Sequence, residues 1–250
     1  MRWPSRERDR ERAHAAGATL VSRAIAWGAS LLVLLAPAQL LAHGIARGDK
    51  GFIQESTGIL LVPFAYLGAK HMVTGYDHLL FLLGVIFWLY RLRDVALYVT
   101  LFAIGHSSTL LLGTLTGTGV NPFLVDTVIG LSVVYKAMEN LGAFRRWFGV
   151  QPDPRLATLI FGFCHGLGLA TKLLEFEMPR EWMFPNLVAF NVGVEVGQLL
   201  ALGAMLIAMG AWRRSARFGT SAYAANVWIM TAGFILAGYQ LTGYFVYDAP

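Results

Sequence analysis

Four histidines lie within or beside long apolar stretches of the chain: His71, His78, His106 and His165. An ionisable group in hydrocarbon is costly unless it is paired, ligated or facing a cavity, so such residues usually mark substrate, ion or proton pathways. Imidazole nitrogens are also ligands of divalent transition metals. The histidines therefore predict a functional site inside a membrane.

Carboxylates and other polar side chains accompany these histidines. Asp77 directly precedes His78, and a carboxylate in that position can orient a ligating ring. The candidate metal ligands are His71, Asp77, His78, His106, His165 and Glu195. The supporting polar residues are Asp126, Asn191, Gln198, Ser107 and Thr109.

Several of these residues also have purely structural interpretations. A single buried histidine more often bonds a neighbouring helix than a metal, and Ser or Thr in a membrane helix often bonds its own i−4 carbonyl. Lys136 and Glu139 are spaced to form a structural i, i+3 pair. Gly162 and Gly166 have the small-xxx-small spacing that favours close helix packing.

The composition indicates an integral membrane protein. Of 250 residues, 56% are hydrophobic and only 14% are charged, whereas soluble domains carry about 25% charged residues. The one cysteine, Cys164, excludes a disulfide within the chain and a cysteine-rich zinc module. No nucleotide-binding loop is present, and most of the arginines beyond the amino-terminal stretch lie in short loops, so no nucleic-acid partner is predicted.

The apolar runs predict an all-α integral membrane protein, a six-transmembrane helical bundle preceded by a signal peptide and a short interfacial helix. The interfacial helix is expected near residues 57–73, with a break at Gly75. The membrane domain as a whole covers 58–247. The six predicted spans are 76–91, 94–116, 122–142, 156–174, 184–211 and 222–246.

The amino-terminal region resembles a targeting sequence. A basic stretch with six arginines precedes the apolar run Ala24–Leu35, and small residues follow, so 1–42 is predicted to be a signal peptide, with an uncleaved anchor as the alternative. Residues 43–57 would form a short periplasmic segment. Eight further arginines, in alternate loops, predict a bacterial inner-membrane protein whose mature N-terminus and C-terminus are periplasmic.

This orientation predicts the depth of each polar group in the membrane. One set would lie toward the outer surface: His71, Asp77, His78 and Asp126. The other would lie near the middle: His106, His165, Asn191 and Glu195. The two sets would form an outer vestibule followed by a central site.

Five ordered motifs resemble the HupE/UreJ family, most closely the second of its two branches, over about residues 57–245. They are His71-x-x-x-Gly75-x-Asp77-His78-Leu79-Leu80-Phe81, His106-Ser107-x-Thr109-Leu110, Glu139-Asn140, Phe161-Gly162-x-x-His165-Gly166-x-Gly168 and Phe190-Asn191-x-Gly193-x-Glu195-x-Gly197-Gln198. The resemblance implies a six-span accessory protein of hydrogenase and urease maturation and a nickel or cobalt permease.

The leading hypothesis is therefore facilitated entry of a divalent transition-metal ion, with nickel or cobalt as substrate and zinc or copper as alternatives. The expected partners are the metal ion, the lipid bilayer, and either a second copy of the chain or metalloenzyme-maturation proteins. Two alternatives use the same residues. One is an intramembrane zinc-dependent hydrolase, and the other is a haem-binding or accessory membrane subunit.

Overall fold

A computed structural model describes residue 53 and residues 58–175 and 180–248. The described chain is helical and contains no strand. Its helices are α1 (Leu61–Thr74), α2 (Tyr76–Ile86), α3 (Leu92–Thr116), α4 (Pro122–Asn140), α5 (Ala143–Phe148), α6 (Pro154–Leu174), α7 (Arg180–Arg213) and α8 (Phe218–Gly243), followed by a π-helical turn at Tyr244–Asp248. The predicted signal peptide, 1–42, lies outside the described residues, as does the predicted periplasmic segment apart from Ile53.

Four helices are long and apolar enough to cross a membrane: Leu92–Thr116, Pro154–Leu174, Arg180–Arg213 and Phe218–Tyr247, which joins α8 to the π-helical turn. They correspond to four of the six predicted spans. The predicted span 76–91 contains the shorter apolar helix α2. The predicted span 122–142 contains α4, whose 19 residues include Asp126, Lys136 and Glu139 and are correspondingly less apolar. The structure thus supports an all-helical membrane fold with four candidate spans.

The predicted break at Gly75 is confirmed. Gly75 has an extended backbone (φ −74°, ψ 100°) that ends α1 and precedes α2. A Cβ atom here would lie 2.9 Å from His78 Nδ1 and 3.0 Å from Asp77 Oδ1. The break therefore leaves little room for any residue except glycine beside these two side chains.

The position of α1 differs from the predicted interfacial helix. α1 packs lengthwise and in parallel against α7, with Gly193 facing the backbone of Ala65 and Gly197 facing that of Ala69. The absence of side chains on these glycines lets the two backbones approach closely. The structure corrects the prediction, because α1 belongs to the bundle and does not lie apart at its surface.

Two more helix pairs are joined through small residues. Gly162 and Gly166 of α6 face the Phe102 and His106 backbones of α3, which confirms the packing role predicted for that glycine pair. In the second pair, Gly130 of α4 faces Ala237 of α8. The three pairs place polar residues from five helices toward the interior, while large apolar residues such as Val62, Leu199 and Ile207 remain exposed on outer faces.

Candidate metal site

Of the four predicted histidines, the other three lie around His78. Its ring centroid lies 5.2 Å from that of His71, 5.7 Å from that of His106 and 5.0 Å from that of His165. His78, His106 and His165 are buried, and His71 is half-buried. We call these four residues the histidine group.

The histidine group corrects the predicted separation into an outer vestibule and a central site. On one continuous helix, His71 and His78 would lie about 10 Å apart along the axis. The break at Gly75 instead brings their ring centroids to 5.2 Å. Because His78 also lies beside His106 and His165, the four rings form one group and not two separate sets.

Asp77 orients the ring of His78. One carboxylate oxygen, Oδ1, accepts two hydrogen bonds of 2.9 Å, one from the backbone N–H of His78 and one from Nδ1 of its ring. Because a carboxylate only accepts, the proton of a neutral His78 ring lies on Nδ1. The lone pair of the ring is then on Nε2, which is buried and has no hydrogen-bond partner among the described residues.

Ser132 of α4 orients His165 in the opposite sense. Its hydroxyl donates to the Ile129 carbonyl at 2.6 Å and lies 3.0 Å from His165 Nε2. A hydroxyl has one proton to donate, so Ser132 accepts from Nε2–H. The lone pair of His165 is therefore on Nδ1, which is buried and unpartnered among the described residues.

Sequence analysis missed Ser132. Its span contains no histidine, and a serine that bonds a carbonyl one turn earlier is ordinary in a membrane helix. No local spacing distinguishes it from the other hydroxyl residues, and only the contact between α4 and α6 reveals its role.

The remaining two histidines also carry unpartnered nitrogens. Neither His106 ring nitrogen, nor His71 Nε2, has a hydrogen-bond partner within the described part of the chain. Buried polar atoms are normally bonded, and each exception calls for an explanation such as a water or an ion. Four such rings in contact are a site with unused capacity to bind a ligand.

Phenyl rings cover one side of the histidine group, toward the C-terminal end of α2. Phe81 and Phe102 are fully buried, with centroids 5.2 Å apart, and each lies 5.2 Å from the ring of His165. Phe161 packs against Phe81 at 5.9 Å. Water and ions leaving the group in this direction would meet an apolar barrier.

Glu195, one of the predicted metal ligands, contacts a serine of α3. Its Oε1 accepts a 3.2 Å hydrogen bond from Ser107, and among the described residues its hydrogen bonds and ion pairs do not involve a histidine. Nearby on α7, Asn191 Nδ2 bonds the Leu187 carbonyl, while its Oδ1 is buried without a partner in the described structure. Gln198 Nε2 bonds the Val99 carbonyl at 3.4 Å.

Thr109 has a mainly structural contact. Its hydroxyl lies 3.1 Å from the i−4 carbonyl of Gly105 and 2.8 Å from the carbonyl of Phe163 on α6, so it links α3 to α6. Ser108 bonds only its i−4 carbonyl, that of Ile104, as the structural interpretation predicts.

Asp126 is not a free carboxylate. Its two oxygens accept bonds of 3.0 and 2.8 Å from Lys172 of α6, and one also accepts a bond of 3.1 Å from Gln240 of α8. The side chains of Lys172 and Asp126 are only 20% and 10% exposed. The sequence did not single out Lys172, because a lysine near the end of a span is ordinary. The predicted pairing of Lys136 with Glu139 is confirmed at 2.8 Å.

Among residues 58–175 and 180–248, no group of three or more His, Cys, Asp or Glu side chains is arranged so that it could hold a metal ion. The histidine group is thus a set of adjacent rings with open donor atoms and not a preformed cage. A closed tetrahedral set of ligands is typical of structural zinc sites, and this arrangement differs from it.

Comparison with known proteins identifies the family. No curated protein and no solved structure was found to match the chain. The family model described as HupE / UreJ protein matches residues 47–248, most of the sequence and all of the helices described above. This family is generally linked to nickel or cobalt uptake or to an accessory function. Because this match covers most of the chain, and the apolar helices and the histidine group agree with it, the chain belongs to the HupE/UreJ family.

Proposed function

We propose that the protein carries a divalent transition-metal ion, nickel or cobalt, across the bacterial inner membrane through the histidine group. The observation that carries the proposal is the set of unpartnered nitrogens on four adjacent rings beside a helix break. Discontinuous helices form binding sites in many transporters, because the break frees backbone groups and widens the interior at mid-membrane.

The proposed donor atoms are Nε2 of His78 and Nδ1 of His165. Two imidazoles on one ion, with metal–nitrogen bonds of about 2 Å, place their ring centroids about 5 Å apart. The centroids of His78 and His165 are 5.0 Å apart, which matches that separation. His71 and His106 would supply the next contacts, because each has an unpartnered nitrogen of its own.

An open set of ligands suits passage better than storage. Conduction requires sites that bind an ion strongly enough to accept it and weakly enough to release it. Adjacent two-ligand contacts around His78 meet this requirement, whereas a closed cage of four ligands would hold the ion. Glu195 and Asn191 lie on α7 outside the histidine group and would serve an earlier or later step of the passage.

The proposed topology has six spans, with α1 and α2 together forming one discontinuous span. α1 begins beside α7, where Leu60 N–H bonds Asn186 Oδ1 at 2.8 Å. α2 ends where Arg213, the last residue of α7, donates to the carbonyls of Ile86, Phe87 and Leu89. The pair α1–α2 therefore follows α7 from one end to the other. The arginine-bearing loops would be cytoplasmic, and both mature termini periplasmic.

Uptake into proteoliposomes tests the proposal. We expect the purified full-length chain to speed entry of nickel or cobalt over empty vesicles, with copper and zinc as comparison ions. Metal analysis of the purified protein is expected to show readily exchanged metal. Vesicles no more permeable than empty ones, together with one tightly held zinc per chain, would contradict transport and support a zinc hydrolase. A bis-histidine haem spectrum would instead support the haem-binding alternative.

Replacing Ser132 with alanine is expected to weaken metal binding by about 10- to 100-fold, the usual cost of losing a partner that orients a ligating histidine. Without the hydroxyl, nothing holds the proton of His165 on Nε2, so Nδ1 is no longer reserved for the metal. Ser132→Thr, which keeps a hydroxyl, should retain most of the affinity. Nickel binding to both variants by calorimetry measures the effect.

A matched control for the Ser132 experiment is Ser108→Ala. Ser108 also donates a hydrogen bond to a carbonyl of its own helix, but among the described residues it does not bond a histidine ring. Equal affinity in Ser132→Ala and Ser108→Ala would show that Ser132 does not orient a metal ligand.

A further inference from the structure

A pocket lies at the opposite end of α2 from Gly75, away from the histidine group. It has a volume of about 540 Å³ and is open on one side. Its charged lining consists of Lys136 and Glu139 of α4 and Arg145 and Arg146 of α5. Its apolar wall includes Val85, Trp88 and Leu89.

The charges of this pocket are unbalanced. Lys136 is paired with Glu139 at 2.8 Å. The side chains of Arg145 and Arg146 are exposed and have no ion-pair or hydrogen-bond partner within the described residues. Three cationic side chains and one carboxylate thus line the pocket. An occupant with a negative charge would complement the pocket, and phosphate groups suit the planar donors of arginine.

Glu139 provides a second, independent indication of a ligand. Its Oε2 atom is buried and has no hydrogen-bond partner in the described part of the chain, although Oε1 is bonded to Lys136. A buried carboxylate oxygen normally accepts a hydrogen bond from a donor. An occupant that offers a hydroxyl group beside its phosphate would satisfy both the arginines and this oxygen.

The surroundings of the pocket favour a lipid over a soluble anion. α5, which carries both arginines, also exposes Trp147 and Phe148, at 63% and 64% of their surface. Tryptophan and phenylalanine beside arginine are typical of a helix at the boundary between headgroups and acyl chains. Trp88 is 43% exposed at the apolar wall and donates its indole N–H to the Asn140 carbonyl. An acyl chain could therefore leave the pocket along an apolar surface.

We propose that this pocket binds the headgroup of an anionic phospholipid with free hydroxyls, of the phosphatidylglycerol class. Arg145 and Arg146 would bind the phosphate, and Glu139 Oε2 would accept from a headgroup hydroxyl. Basic pockets between membrane helices at the cytoplasmic side are suited to such headgroups. The bound lipid would connect α2, α4 and α5 at the end of the bundle opposite the helix break.

Native mass spectrometry of the detergent-purified full-length chain tests this proposal. Titration with phosphatidylglycerol, phosphatidylethanolamine and phosphatidylcholine of identical acyl chains should show one preferentially retained phosphatidylglycerol. The double variant Arg145→Gln/Arg146→Gln should bind that lipid about 30-fold more weakly, since each basic residue near an anionic lipid surface contributes about 1 kcal/mol of binding free energy. Its binding of phosphatidylcholine should not change.

The matched control is Arg91→Gln/Arg93→Gln. It removes the same charge from exposed side chains of the loop before α3 and at its start, and neither residue lines the pocket. This control should bind phosphatidylglycerol as the wild type does. Equal losses in the two double variants, or equal binding of the three lipids by the wild type, would overturn the proposal. Displacement of the lipid by excess inorganic phosphate would identify a soluble anion as the ligand and also overturn it.

Discussion

Replacing His78 with alanine is expected to abolish metal accumulation while the protein remains folded in the membrane. His78 is the ring that contacts the other three, and Asp77 holds its Nε2 lone pair available. The loss should exceed the roughly 10- to 100-fold effect of removing only an orienting partner. Nickel accumulation in cells, normalised to the protein in isolated membranes, measures it.

His165→Ala should have an effect of the same order, because it removes the other nitrogen whose lone pair is reserved by a hydrogen bond. Cys164→Ala is the control, since Cys164 lies next to His165 in the sequence and is a free, half-buried thiol. If the alanine variants do not accumulate in membranes, His78→Gln and His165→Gln keep a polar side chain of similar size. Wild-type uptake in both histidine variants would contradict the proposed function.

The sequence identified the histidine group because burying ionisable residues is costly wherever it occurs. Four histidines in apolar runs were visible without any structure, and Gly75 was visible as a break in a helical pattern. The sequence could not predict how far into the helix bundle each histidine lies. Hydropathy orders residues along the chain, and it therefore assigned His71 and His78 to the outer surface. The parallel packing of α1 on α7, a contact distant in sequence, changed that assignment.

Partners on other helices were the second feature that could not be predicted. Asp77 was identified as an orienting residue because it is the neighbour of His78 in the chain. Ser132 performs the same task for His165 from 33 residues away. Asp126 shows the same limit in reverse. The sequence indicates a supporting polar residue of the outer vestibule, whereas the structure shows that Lys172 of α6 neutralises Asp126.

The pair of Asp126 and Lys172 has a consequence for the passage of a cation. Lys172 lies two turns after His165 on α6. An uncompensated ammonium at this position would repel a divalent ion approaching the histidine group. Asp126 accepts hydrogen bonds from that ammonium with both carboxylate oxygens, and Gln240 donates to one of the same oxygens. In the proposed passage, the pair would therefore set the electrostatic barrier on one side of the group.

Asp126→Asn is consequently expected to reduce nickel uptake by tenfold or more, since about 1.4 kcal/mol of added barrier is enough for a tenfold change in rate. The decisive variant is Asp126→Asn/Lys172→Met. It removes both charges, so the unbalanced ammonium is gone and uptake should return toward the wild-type rate. Initial rates of nickel uptake in proteoliposomes measure the effect on passage. The thermal stability of each variant, measured in parallel, shows the effect on the fold.

A role confined to joining α4 and α6 would give a different result. In that case the double variant would be no better than Asp126→Asn, because the link between the helices is broken in both, and uptake would follow thermal stability. The electrostatic role instead predicts a favourable coupling between the two substitutions, which double-mutant cycles measure at about 0.5–3 kcal/mol for residues in contact. It also predicts that Lys172→Met alone, which leaves the Asp126 carboxylate facing the approaching ion, does not slow uptake.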